Sequence, residues 1–256
     1  MTPQTAVITG ASTGIGRATA DEFAEQGYDL AILARRKELL DAIVDQLSNE
    51  YPERKFAAYR CDVREWEQVS DTAQQIQEDF KQINVLINNA GAFEYLSLEK
   101  SAPEKLDEMI DVNVRGVVYM TKAMLPLLRK AVSNGQWAKI VNVSSIAGLW
   151  GFSNMSVYTA TKFAVTGFSS GLRRELRGQG IRVASIHPGP VRSKADIPEN
   201  APKKRLVMSP YEIADQVFSL ATSKRNRLIS HPAFTLLNAI EHVSPTVVDK
   251  FLKKFL

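Results

Sequence analysis

The sequence predicts an α/β fold, a three-layer doubly wound parallel sheet. Three observations predict it. Short runs rich in Val and Ile alternate with helical stretches, the pattern of βαβ units. The runs barely alternate in polarity, as strands covered on both faces do. A glycine cluster also stands where the first run passes into the first helical stretch.

The apolar runs are residues 6–9, 30–34, 56–59, 85–87, 140–143 and 183–186. Between them lie helical stretches over 15–26, 37–50, 67–80, 103–130 and 157–179. The regular alternation stops after Ile186. Residues 188–205 are rich in Pro, Lys and polar types and read as a long loop. Loops of that length in compact domains are often functional. Helical pattern returns at 210–222 and again at 246–256. No linker, repeat or low-complexity tract divides the chain, so residues 1–256 are expected to form one domain with a C-terminal loop and helical tail.

Composition narrows the class. Hydrophobic residues make up 45% and charged residues 23% of 256, which excludes disorder and fibrous repeats. The net charge of +4 is too small an excess to argue for nucleic acid and fits an anionic ligand equally well. Cys61 is the one cysteine, so no intrachain disulfide is possible. No segment has the roughly 18 to 20 apolar residues of a membrane span. Residues 1–5 run at once into Ala6-Val7-Ile8-Thr9-Gly10, with no room for a secretion signal. A cytoplasmic location is therefore expected, and the two N-x-S sequons at Asn142 and Asn154 read as chance.

The first βα turn reads Thr9-Gly10-Ala11-Ser12-Thr13-Gly14-Ile15-Gly16. Glycines here let the chain turn sharply and let a pyrophosphate approach the backbone. The helix N-terminus behind them offers free N–H groups and partial positive charge to phosphates. The spacing is G-x-x-x-G-x-G.

Further motifs follow: Asn88-Asn89-Ala90-Gly91 after the fourth strand, Ser145 with Tyr158-x-x-x-Lys162, and Pro188-Gly189. Together with the glycine loop, and in this order from residue 5 to about 222, they resemble the short-chain dehydrogenase/reductase family. The resemblance implies a Rossmann-type fold, a nicotinamide cofactor, and hydride transfer to or from a carbonyl or alcohol carbon. It implies cofactor contacts from Gly10, Ser12, Thr13, Gly14, Ile15, Gly16, Asn89, Ala90 and Gly91. Asp62-Val63 resembles the family's adenine contact. Pro188-Gly189-Pro190-Val191-Arg192-Ser193 resembles its P-G-x-V-x-T segment, where the Val backbone and a hydroxyl hold the nicotinamide carboxamide. Ser193 keeps that hydroxyl.

The second strand ends Leu33-Ala34-Arg35-Arg36-Lys37. NAD-binding relatives of this fold place an acidic residue here for the ribose hydroxyls. Arg35, with Arg36 as the alternative partner, can instead pair with a 2′-phosphate, so NADP(H) is the expected cofactor. The basic residue that some family members carry inside the glycine loop is absent, and Ser12-Thr13 stands there.

By resemblance Tyr158 is the acid in reduction and the base in oxidation. Its unperturbed pKa is near 10, and the Lys162 cation is expected to lower it. Spacing of four puts both on one helix face. Lys162 would also hold the nicotinamide ribose, and both residues count among the cofactor contacts. Ser145, rather than its neighbour Ser144, would bond the substrate oxygen. Asn113 resembles the asparagine that holds a relay water beside the lysine. The three histidines and Cys61 have no metal-ligand spacing, so no metal is expected, and His187 reads as structural. The rival reading is a non-catalytic nucleotide-sensing protein, against which Ser145, Tyr158 and Lys162 stand intact. Enoyl reductases of the superfamily space Tyr and Lys six apart, unlike this pair.

The expected partner is a small-molecule carbonyl or alcohol. Phe93, Tyr95, Leu96, Ile146, Leu149, Trp150, Phe152, Met155 and Met208 would frame its pocket, which favours an apolar substrate. Lys203-Lys204-Arg205 reads as a solvated loop. The tail carries an apolar stripe of Val247, Val248, Phe251, Leu252 and Phe255. It docks on its own subunit, makes a subunit contact or lies on a membrane surface, in that order of preference. The tail departs from the seventh strand and glycine-containing end that build family tetramers. A homodimer through helices near 114–130 and 157–179 is the family expectation, with a homotetramer the alternative.

Overall fold

The computed structural model describes residues 3–192 and 206–241. Seven parallel strands form one sheet in the order β3-β2-β1-β4-β5-β6-β7. The strands are β1 (Thr5–Thr9), β2 (Asp29–Ala34), β3 (Phe56–Arg60), β4 (Val85–Asn88), β5 (Ala138–Val143), β6 (Ile181–His187) and β7 (Arg227–Ile229). Helices α1 (Gly14–Glu25), α2 (Lys37–Glu50) and α3 (Trp66–Phe80) follow the first three strands. Helices α4 (Pro103–Ile110), α5 (Gly116–Ser133), α6 (Ser156–Glu175), α7 (Pro210–Thr222) and α8 (Pro232–Glu241) complete the fold. This is the doubly wound, Rossmann-type architecture that the sequence predicts.

Side-chain alternation along each strand divides the core in two. Ala6 and Ile8 of β1, with Leu30 and Ile32 of β2, pack on α1, α2 and α7 through Phe23, Leu40, Ile43 and Val217. Val7, Ala31 and Leu33 point the other way, to Val69, Ile76, Met120, Met124 and Leu172 of α3, α5 and α6. Each fully buried Leu or Ile contributes about 1.5–3 kcal/mol. Burial on both faces is why these strands read as continuous apolar runs.

Strand order reverses between β1 and β4. Ligands of open α/β sheets bind at such a switch point, beyond the carboxyl ends of the strands. Thr9, Asn88, Val143 and His187 are those ends here.

The structure differs from the sequence reading in two places. The helical stretch 103–130 is interrupted by a π-turn at Asp111–Arg115, which separates α4 from α5. One extra residue in a turn leaves the apolar periodicity nearly intact, so pattern alone does not show it. The chain also has the seventh strand that its C-terminal sequence was expected to lack. β7 is three residues long and pairs with β6 through Arg227, Leu228 and Ile229, and α8 follows it. Three residues are too few for a legible period. Residues 193–205 and the tail from 242 on lie outside the described residues. Ser193, Lys203-Lys204-Arg205 and the apolar stripe of 247–255 are among them. No helix among the described residues is long and apolar enough to cross a membrane.

One buried cation secures the edge of the fold. Lys139 in β5 is 1% exposed, and its ammonium donates to the carbonyls of Leu220, Ser223 (2.9 Å) and Arg225 (2.9 Å) around the end of α7. Burial holds its pKa down to about 8. Lys139→Met removes three donors and leaves those carbonyls bare, a loss of about 2–3 kcal/mol. Thermal melting at neutral pH should show a midpoint lower by about 4–12 °C. An unchanged midpoint would contradict this role.

Candidate active site

The glycine turn forms because two backbones meet with no room for side chains. Gly10 has φ +67°, and a Cβ there would lie 2.8 Å from the Ala90 Cα. A Cβ on Gly16 would strike the Gly10 carbonyl oxygen. Thr9 and Asn89 fix this approach. The Thr9 hydroxyl accepts from the Asn89 and Ala90 N–H groups, each at 3.0 Å. Asn89 Nδ2 donates to the Thr9 carbonyl at 2.9 Å and the Gly10 carbonyl at 3.3 Å. The Asn89 side chain therefore braces the turn rather than reaching outward.

The first turn of α1 is open. Thr13 at its N-cap makes no side-chain cap bond, and no acidic residue follows. A Cβ on Gly14 would meet nothing within 4 Å. Ile15 packs inward on the core, and Thr13 and Gly14 are exposed. These features fit a dinucleotide's pyrophosphate: free donors, partial positive charge and space.

At the ribose end, Arg36 Nη2 donates to the Ser12 Oγ at 3.3 Å. Arg35 turns to α4, where its Nη1 lies 3.5 Å from Glu108 Oε1. Lys105 Nζ holds the other Glu108 oxygen at 3.0 Å. Of the two arginines, Arg36 is thus the one already seated on the glycine loop. Asp62 is gripped by Arg64, with Nη2 to Oδ2 at 2.6 Å and Nε to Oδ1 at 2.9 Å. Despite burial, that grip holds its carboxyl below the usual range. Val63 is buried against Gly116 at the start of α5.

The polar residues of β5 and α6 converge beyond β4. Ser144 turns inward, donating to the Lys162 carbonyl at 3.0 Å, whereas Ser145 is half-buried and faces the site. The Ser145 Oγ accepts from the Ala147 N–H at 3.1 Å, which leaves its own proton to donate. The Ser145 side chain bonds that of Tyr158. Lys162 is 5% exposed and donates to the Val143 carbonyl at 3.1 Å. Its ammonium lies 5.6 Å from the centre of the Tyr158 ring. Phe93 packs edge-on against that ring, with centroids 4.9 Å apart.

Burial governs both titrating groups. It pushes the Tyr158 phenol up to about 12, against the opposing Ser145 bond. It holds Lys162 down to about 8. The expected lowering of the Tyr158 pKa by Lys162 is thus not met, because desolvation dominates its surroundings.

Asn113, in the π-turn, is fully buried. Its Oδ1 accepts from the Ala92 N–H at 2.8 Å, and its Nδ2 donates to the Ala92 carbonyl at 2.9 Å and Thr161 Oγ1 at 3.0 Å. Thr161 in turn donates to the Tyr158 carbonyl at 2.7 Å. Gly91 is the meeting point: a Cβ there would lie 3.4 Å from Asn113 Oδ1 and 3.8 Å from Lys162 Nζ. Thr161 was not singled out in the sequence, where its one signal is its place three residues after Tyr158.

The Pro188 carbonyl accepts from the Ile146 N–H at 2.9 Å, and Gly189 lies against the Phe234 ring. Val191 bridges to Met208, bringing the two sides of 193–205 together. Seven of the nine residues expected to frame a pocket fall into two groups. Phe93, Tyr95 and Leu96 are exposed. Ile146, Leu149 and Trp150 instead join Phe234 and Leu237 of α8 in a small apolar core, with Phe152 packed against it. Among the described residues, no three His, Cys, Asp or Glu side chains gather as metal ligands would. Asn142, of the first sequon, is fully buried.

This arrangement defines a nucleotide-dependent oxidoreductase of the Rossmann type. The short chain dehydrogenase family profile matches residues 4–204, and the chain belongs to that family. It is 37% identical over 229 residues to a sulfoacetaldehyde reductase of Chromohalobacter salexigens, covering 84% of this chain and 87% of that protein. Among solved structures it is similar to a short-chain dehydrogenase/reductase of Burkholderia phymatum in complex with NAD. That likeness has a TM-score of 0.83 and 26% identity, over 96% and 95% of the two chains. An alcohol dehydrogenase of Thermococcus sibiricus complexed with 5-hydroxy-NADP is similar at TM-score 0.79 and 28% identity, over 88% and 95%.

Proposed function

We propose that residues 1–256 act as one NADP(H)-dependent unit that interconverts a carbonyl and an alcohol on a small, largely apolar molecule. The observation that carries the reading is the convergence of Ser145, Tyr158 and Lys162, with Lys162 beside Gly91, next in the chain to the Ala90 that abuts the glycine turn. A nicotinamide nucleotide, when bound, supplies or accepts the hydride. The open end of α1 and the 10–16 backbone would hold its pyrophosphate. Arg36 and Arg35 would take the 2′-phosphate, Asp62 the adenine, and the 188–193 segment the carboxamide.

The chain's own residues supply the proton chemistry. Tyr158 is protonated at neutral pH, so it is ready to donate to a carbonyl oxygen. Ser145 donates to the same oxygen as charge develops on it. Lys162, cationic below about pH 8, offsets the phenolate left behind. Asn113 holds the 91–93 loop and, through Thr161, the backbone of Tyr158.

Exposed Phe93, packed on the Tyr158 ring, and the exposed Tyr95 and Leu96 that follow it in the chain support an apolar substrate. The Chromohalobacter relative is named for a sulfonated aldehyde, which supports reduction of an aldehyde or ketone as the working direction. A homodimer through α5 and α6 is supported by exposed Val118 and Phe163 on those helices. Phe163→Asp should then halve the mass measured by sedimentation, and a wild-type monomer would refute the assembly.

Tyr158→Phe keeps the ring and removes the proton. Turnover in a carbonyl panel should fall at least about a hundredfold, with nucleotide affinity little changed. For the wild type, kcat/KM of reduction should be level below pH 8. Above it, the rate should drop as Lys162 loses its proton while Tyr158 keeps its own. A Tyr158→Phe variant with near-normal turnover would remove the assignment.

Fluorescence titration tests the cofactor. Arg36→Ala should weaken NADPH binding at least about tenfold, since a hydrogen bond to a charged group is worth roughly 1.5–3 kcal/mol. Arg35→Asp should also weaken NADPH while NADH holds or improves. Added salt should weaken NADPH more than NADH. Equal wild-type affinities for the two nucleotides at low salt would overturn the NADP(H) reading and leave the oxidoreductase intact.

A further inference from the structure

His187 ends β6 and is fully buried. Both ring nitrogens have partners. Nδ1 lies 3.1 Å from the Ser145 carbonyl, and Nε2 lies 3.1 Å from the Ser185 hydroxyl. A carbonyl oxygen only accepts, so Nδ1 carries the proton. A neutral ring then leaves Nε2 as an acceptor, and Ser185 donates to it. The neutral Nδ1–H tautomer satisfies both contacts. Burial agrees, pushing its pKa down to about 4.

The bond falls on the residue whose side chain faces Tyr158. Ser145 has φ −166° and ψ 165°, the extended geometry just past the end of β5. Two contacts surround its carbonyl: the Ile146 N–H bonds the Pro188 carbonyl, and the Ser144 N–H bonds the Ile186 carbonyl. The Ser145 carbonyl accepts the Gly148 N–H at 2.9 Å in the short turn that follows, and His187 Nδ1 is its second donor at 3.1 Å. The Ser145 Oγ is held separately by the Ala147 N–H. The Ala147 N–H holds the hydroxyl oxygen, and Gly148 with His187 holds the carbonyl, so the side-chain torsion and the backbone that set where the Ser145 hydroxyl sits are both fixed.

We propose that His187 is a positioning residue for the reaction: as a neutral Nδ1–H ring, it holds the Ser145 carbonyl so that the serine hydroxyl stays aimed at Tyr158 and the substrate oxygen. It touches neither substrate nor cofactor. The proposal rests on the oxidoreductase reading for its consequence in turnover, but its geometry stands apart from that reading. A displaced hydroxyl loses most of its effect on a developing charge, because such stabilisation depends on donors fixed before the charge appears.

Two variants separate positioning from mere folding. In His187→Asn, Nδ2 takes the place of Nδ1 and keeps the Ser145 bond. In His187→Gln, Nε2 reaches toward Ser185 and the Ser145 bond is lost. Both keep a buried amide and a similar polarity. NADPH titration and thermal melting show that each is folded. The expected result is that His187→Asn keeps turnover within about threefold of wild type. His187→Gln loses at least about tenfold in kcat, with KM changed less than kcat. In a Ser145→Ala background, His187→Gln should cost nothing further, because the group it positions is gone. Equal losses in Asn and Gln variants, or an undiminished Gln penalty without the Ser145 hydroxyl, would overturn the proposal.

Nitrogen-15 NMR of labelled histidine gives a readout independent of turnover. His187, identified by the signal missing in His187→Asn, should remain a neutral Nδ1–H tautomer from pH 5 to 9. A His187 that titrates near 6.5, or sits as Nε2–H, would also overturn it. Wild-type protein inactive on every carbonyl tried, with His187 still a neutral Nδ1–H ring, would count against the functional reading and not against this geometry.

Discussion

The close approach of the β1 and β4 ends is the constraint on which the site depends. Gly10 and Ala90 touch through backbone, and the Gly16 position is closed by the Gly10 carbonyl. No side chain fits in either place. The contact also does more than close the turn. It fixes where the chain after Asn89 must go, and so places Gly91 and Ala92. Those two residues carry the loop that Asn113 clamps from the π-turn. One backbone contact therefore sets both the open end of α1 and the loop beside Tyr158. Thr9 and Asn89 hold it with four hydrogen bonds, so neither side can shift alone.

Buried polar side chains carry that placement across the sheet. Asn88 donates to Thr121 and Asn142, and Asn142 donates to Ser169. These bonds tie β4 to α5, β5 and α6 inside an otherwise apolar layer. An apolar core tolerates sliding, because any methyl packs against any other. A buried amide does not, since an unmet donor costs about 1–3 kcal/mol. The chain therefore locks the register of β4 and β5 where they point Asn89 and Ser145 at one another's side of the switch point.

Much of this was legible in the sequence, for physical reasons that can be named. Doubly covered strands must be apolar throughout, so β1, β2 and β5 stood out. The α7 boundary was legible because Pro210 suits a first helical turn, and Ser209 with Glu212 indeed forms a capping box there. Glycines with no space for a Cβ marked the turn. Other parts were illegible because their cause is tertiary. The π-turn exists to deliver Asn113 and leaves the period of its neighbours intact. β7 is defined by its partner, not by its own three residues. The choice between Arg35 and Arg36 turns on Glu108, which lies seventy-odd positions away in the chain. The inward turn of Trp150 depends on α8, which the sequence pattern did not reveal.

The two titrating groups at the centre are both displaced toward neutrality, Tyr158 upward and Lys162 downward. A stable protein has no reason to bury an ammonium beside a phenol, because burial penalises the charge and the neutral phenol offers it little. The arrangement becomes favourable only when the phenol gives up its proton. At that moment a cation 5.6 Å from the ring faces an anion in a medium of low polarity, where their attraction is strong. The same desolvation that makes the resting pair costly thus strengthens the interaction in the state where the proton has moved. On the proposed reading, such a pair costs most before the proton moves and least after it, the differential that a transition state would exploit. That Lys162 is anchored by the Val143 carbonyl rather than by a carboxylate fits the same logic. A carboxylate would neutralise the cation permanently, whereas a carbonyl holds it in place and leaves its charge available.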